Sequence, residues 1–112
     1  MRRSFLTLLS LVVASSVILP AARADDSAKI SARVEAWGRN CKNTVAVNYP
    51  KATMADIAVE LGAADQKGID SGETTLKQVT TSGLSFNWTF KKHTGYCNTN
   101  GSGKITEFVK GQ

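Results

Sequence analysis

The stretch Leu84-Ser85-Phe86-Asn87-Trp88-Thr89-Phe90-Lys91 alternates without a fault. Leu84, Phe86, Trp88 and Phe90 fall on one face of an extended chain, and Ser85, Asn87, Thr89 and Lys91 fall on the other. A strand with one apolar and one wettable face belongs to an antiparallel sheet, because a parallel sheet is covered on both faces. The chain after it continues that sheet. Thr94-Gly95 predicts a turn, Tyr96-Cys97-Asn98 a short strand, Asn100–Gly103 a second turn, and Lys104–Lys110 a last strand.

The apolar face needs a cover, and the sequence upstream supplies one. Ile30, Val34, Trp37, Cys41 and Val45 recur at helical spacing and form one stripe. Asp25, Asp26 and Ser27 suit the start of that helix, and Pro50 closes the segment. Gly38 weakens the helix by about 1 kcal/mol relative to alanine, and Thr44–Val47 also reads as a short strand after an earlier helix stop. Thr53–Gly62 predicts a second, short helix. Thr53 is its N-cap, Asp56 the acid three residues on, Gly62 its C-terminal glycine, and Met54, Ile57, Ala58 and Leu61 its buried face. Residues 63–72 read as a loop, and residues 74–81 fit strand or helix equally. The expected fold is therefore α+β: two N-terminal helices packed on one face of a three- or four-stranded antiparallel sheet.

The first two dozen residues are of another kind. Arg2 and Arg3 precede a 15-residue apolar stretch, Phe5–Leu19; Pro20 ends it, and Ala22-Arg23-Ala24 has the form of a cleavage site. These parts in this order predict a signal peptide over residues 1–24, cleaved to leave one domain over residues 25–112. The stretch falls short of the roughly 20 apolar residues a spanning helix needs. No membrane span is therefore expected after cleavage, and the protein is expected in the periplasm or secreted. Arg2-Arg3-Ser4-Phe5-Leu6 also resembles a twin-arginine signal. An ordinary leader is favoured, because nothing downstream calls for a cofactor.

Cleavage changes the charge. The whole chain carries +5, but Arg2, Arg3 and Arg23 leave with the leader, so 11 Lys and Arg face 9 Asp and Glu, a net +2. That is too small for a nucleic-acid footprint. With 42% hydrophobic and 21% charged residues, a disordered chain is excluded as well. Cys41 and Cys97 both lie in the exported part. An even count in an oxidising compartment reads as a disulfide, which closes a loop of 55 residues and contributes roughly 4 kcal/mol.

Thr53-x-x-Asp56-Ile57-x-x-x-Leu61-Gly62, the strand carrying Trp88, the glycine turn and Lys104-Ile105-Thr106-x-Phe108 together resemble small envelope proteins of the SmpA/OmlA type, over residues 53–110. Their helix-helix-sheet layout is also similar to β-lactamase-inhibitor-protein domains. The resemblance implies a binding scaffold without catalysis. The sequence departs from the pattern in Ala63-Ala64-Asp65, where a proline is usual, and in having no lipid-attachment cysteine.

Few residues are arranged for chemistry. Asn98–Ile105 resembles a calcium loop, but position 12 is Val109 and no early ligand is charged, so a hairpin turn is expected. Two cysteines and one histidine are too few for zinc. Nucleophilic catalysis by His93 would need a partner and an orienting acid that the sequence does not nominate. Asp65, Asp70 and Glu73 have no spacing that sets two of them face to face. Asn87-Trp88-Thr89 matches a glycosylation sequon, which the arginine-led leader makes a chance match. Tyr96 and Phe108 remain as a candidate partner-binding surface. The expectation is a monomeric, exported, non-catalytic interaction module with no cofactor, whose partner is an envelope or extracellular protein. The alternative is a small secreted hydrolase using Asp or Glu with His93.

Overall fold

The computed structural model of the chain describes the backbone of residues 6–111 and side chains from residue 26 on. Arg2 and Arg3 of the expected leader lie outside the described residues. Helix α1 (Leu6–Asn48) leads to a single 3-10 turn (Met54–Asp56) and strand β1 (Ile57–Leu61). Two short helices, α2 (Ala63–Ser71) and α3 (Leu76–Ser82), then precede β2 (Ser85–Phe90), β3 (His93–Thr99) and β4 (Ile105–Lys110). The strands pair antiparallel in the order β1-β2-β3-β4. The fold is α+β, as the alternation in Leu84–Lys91 requires. Among the described residues no helix is long and apolar enough to cross a membrane.

The stripe on α1 and the apolar face of β2 meet. Ile30, Trp37, Cys41 and Val45 are buried against Leu84, Phe86, Trp88, Phe90 and Cys97, with Val34 half-buried beside them. Gly38 has its reason here: a Cβ at that position would sit 3.3 Å from Phe86, so its absence lets helix and sheet approach closely. The helix does not begin at Asp25–Ser27 but runs unbroken from Leu6, and it keeps Thr44–Val47 helical to Asn48. Propensity costs of a few tenths of a kcal/mol per residue are smaller than the gain from seating Val45, fully buried, in the core.

The main local departure from expectation is Thr53–Gly62. It forms the 3-10 turn and β1, not a helix. The Thr53 hydroxyl donates to Asp56 Oδ2 at 2.9 Å instead of capping a helix. Ile57 and Leu61 fit both a helical and an alternating period. Val59 decides between them, because it joins Ile57 and Leu61 only on a strand, while Met54 and Ala58, the other members of the helical face, are exposed. Pairing supplies the rest: Ile57 to Leu61 register against Phe90 to Phe86 and cover the edge of β2. The helix-helix-sheet order therefore becomes helix, strand, two helices and three strands.

Both helices between β1 and β2 carry their own end signals. Gly72, at φ 80°, ends α2. A capping box between Thr75 and Gln78 starts α3. Asp65 on α2 accepts a hydrogen bond from the Ser85 backbone N–H at 2.8 Å, tying α2 to the head of β2. Asp65→Ala leaves that part-buried donor without a partner. It is expected to cost about 1–2 kcal/mol, read as a lower urea midpoint at unchanged slope.

Candidate binding site

The disulfide is formed as expected. Cys41 on α1 and Cys97 on β3 have Cα atoms 5.9 Å apart, and both residues are fully buried between helix and sheet. It is a structural bond that fixes the two layers.

The groups nominated for chemistry are dispersed. His93 is exposed at the β2–β3 hairpin, with its ring 4.9 Å from that of Tyr49. Asp65 is committed to Ser85 at the opposite end of β2. Ser85 and Phe90, the partner of His93 in the ladder, are the two ends of that strand, about 17 Å apart at ordinary strand rise. Asp70 accepts from Gln66 at 2.8 Å, and Glu73 is exposed. Among the described residues no acid lines the recess beside His93, whereas a general acid–base pair needs one within hydrogen-bonding reach.

The calcium-like loop is a turn held by its own side chains. Asn100 Oδ1 accepts from the Ser102 N–H, the Ser102 hydroxyl and the Lys104 N–H at 2.8–3.0 Å. Asn98 is engaged by Ser85 and Glu107. Asn40 on α1 donates to the Gly103 carbonyl at 3.0 Å, so the turn is docked on the helix. No group of three or more His, Cys, Asp or Glu suited to a metal occurs among the described residues.

Tyr96 and Phe108 do not share a surface. Phe108 lies in register with Cys97 and stacks on Trp88, ring centroids 5.4 Å apart, on the face toward α1. Tyr96 lies on the open face, in a cross-strand row with Glu60, Asn87 and Val109. It is half-buried there.

Two further features were not anticipated from the sequence. One is a groove of about 480 Å³ between α1 and β1. Its walls are Val34, Gly38, Met54, Val59, Leu61 and Phe86, and its rim carries Glu35, Arg39, Lys42 and Glu60. The Gly62 N–H donates to the Ser85 carbonyl. By antiparallel alternation, Glu60 and Ala58 then also bond to β2, and the N–H and C=O of Val59 and Leu61 point to the free edge. The groove thus has an apolar floor beside outward-facing backbone donors and acceptors. The other feature is a cluster of lysines around Tyr49 at the far end of the sheet. The alternating Ile57, Val59 and Leu61 were the only sequence signal for the groove; the lysines come from three distant segments and gave none.

No family model, no curated protein and no solved structure matches this chain. Its function therefore has to be argued from these surfaces alone.

Proposed function

We propose that the chain is a non-catalytic interaction module of the cell envelope or extracellular space, and that it takes an extended segment of a partner protein on the free edge of β1. The observation that carries this reading is the apolar groove running beside β1, an edge strand of the sheet. Natural edges are usually blunted by proline, lysine, a bulge or a covering loop. Ile57-Ala58-Val59-Glu60-Leu61 has no proline, lysine or bulge. A partner strand would satisfy the outward backbone groups of Val59 and Leu61, place alternate apolar side chains in the groove, and set charged neighbours against Arg39, Lys42, Glu35 and Glu60. On the open face it would extend the row that contains Tyr96. A buried disulfide in a domain whose described helices do not cross a membrane is compatible with export. The hydrolase reading has less support, because Asp65 and His93 stand at opposite ends of β2 and no acid lines the recess beside His93 among the described residues.

The test is a photo-crosslinking residue placed in turn at Met54, beside the groove, and at Thr89, on the open face, in the producing cell. A defined protein adduct is expected from Met54 and not from Thr89. Val59→Pro removes an outward N–H that β2 does not use, so the variant should still melt cooperatively. It should weaken the adduct about tenfold. Adducts of equal yield from both positions, or no effect of the proline, would defeat the proposal. An adduct of twice the chain mass would make the occupant a second copy of this chain, in place of the monomer expected.

A further inference from the structure

The end of the sheet farthest from α2 and α3 gathers basic residues from three separate segments. Two open recesses, of about 400 and 320 Å³, are both lined by Tyr49. Lys51 and Lys91 line the first; Lys92, His93 and Lys110 line the second. No aspartate or glutamate lines either recess. Two other depressions differ. The groove beside β1 carries charges of both signs, and the recess between α1 and α2–α3 carries Asp26 and Asp70 with no basic residue. Of these four depressions, only the two beside Tyr49 are lined by basic and not by acidic residues.

The lysines here are not simply solvated. The Lys110 ammonium lies 5.0 Å from the centre of the Tyr49 ring, and that of Lys91 lies 5.6 Å from the centre of Phe90. Tyr49 also packs against Phe90 and His93. Lys91 holds φ 55°, in a two-residue hairpin loop where glycine, asparagine or aspartate is ordinarily found. A lysine in that conformation is strained, and its place in the hairpin loop puts its side chain at this end.

We infer that this end is a docking site for an anionic phospholipid surface. Lysine side chains laid over the half-buried Tyr49 and the buried Phe90, with their ammonium ends at the surface, form a cationic patch that suits the phosphates of such a surface. Two separate recesses suit two separate headgroups better than one continuous acidic peptide. The site shares no lining residue with the β1 groove, so a membrane-docked molecule would still present its edge strand to a partner.

The experiment is co-sedimentation of the protein, purified from the producing cell in the length found there, with phosphatidylcholine vesicles and with vesicles containing about one-third phosphatidylglycerol. Binding to the anionic vesicles is expected to exceed binding to the zwitterionic ones at least tenfold, and to be lost at about 0.5 M salt. The variant Lys91→Gly, Lys92→Gln alters only an exposed turn and relieves the strain at Lys91, so it should fold. It should lower anionic binding about 25-fold, or about fivefold per lysine. Equal binding to both vesicles, or anionic binding unchanged in the variant, would overturn the inference. Retention on immobilised polyglutamate without binding to anionic vesicles would also overturn it, and would point to an acidic protein instead.

Discussion

Replacing Cys41 and Cys97 together by alanine is expected to remove about 4 kcal/mol of stability. The bond joins residues 56 apart in sequence and ties the middle of α1 to β3. Without it the unfolded chain regains the entropy of a loop holding β1, α2, α3, β2 and the start of β3. Both cysteines are fully buried, so truncation also leaves unfilled space between the layers. Domains of this size are stable by only some 5–15 kcal/mol, so the loss is a large share of the total. It should lower the melting temperature by about 20 °C. A thermal melt of the double variant beside the native protein measures this directly. A shift of only a degree or two would mean that the helix–sheet interface holds without the bond.

Gly95→Ala is expected to cost about 3 kcal/mol or more. Gly95 lies in β3, in register with Trp88 on one side and Lys110 on the other. A Cβ there would fall 1.9 Å from the Val109 carbonyl oxygen and 2.6 Å from the Trp88 indole. Neither can yield easily. The oxygen belongs to the β4 backbone, and the indole is only 1% exposed, with Tyr49 and Phe108 against it. Accepting a methyl group means opening the ladder between β3 and β4 or unstacking Trp88 from Phe108. Thr94→Ala, one residue earlier and exposed, is the control and should stay within about 0.5 kcal/mol of the native protein. Chemical denaturation of the two variants compares them. Equal midpoints would show that β3 can shift to accommodate the methyl at little cost.

These two positions differ in how far they could be read from the sequence. The disulfide was legible, because the leader implied an oxidising compartment and two cysteines allow one pairing. Gly95 was legible only as a turn signal. Its actual role, letting Trp88 lie flat across β3, depends on a neighbour that pairs with it from seven residues away. The same distinction runs through the candidate sites. The Asn100 turn could be reduced to a turn by counting ligands. The groove could not be found, because a helix was expected where β1 lies. Ile57 and Leu61 satisfy two periods at once, and the choice was made by the unpaired edge of β2, which no local pattern contains.

Patterning alone determined the amphipathic helix, the strand that needed a cover, the antiparallel sheet and the sulfur bridge, since each follows from periodicity or composition within one segment or from a pairing with no alternative. Tertiary structure decided the strand at Ile57–Leu61, the close approach at Gly95 and the gathering of Lys51, Lys91, Lys92 and Lys110 around Tyr49. Those features arise from contacts between residues far apart in the chain, where the energy of pairing and packing outweighs local propensities of a few tenths of a kcal/mol per residue.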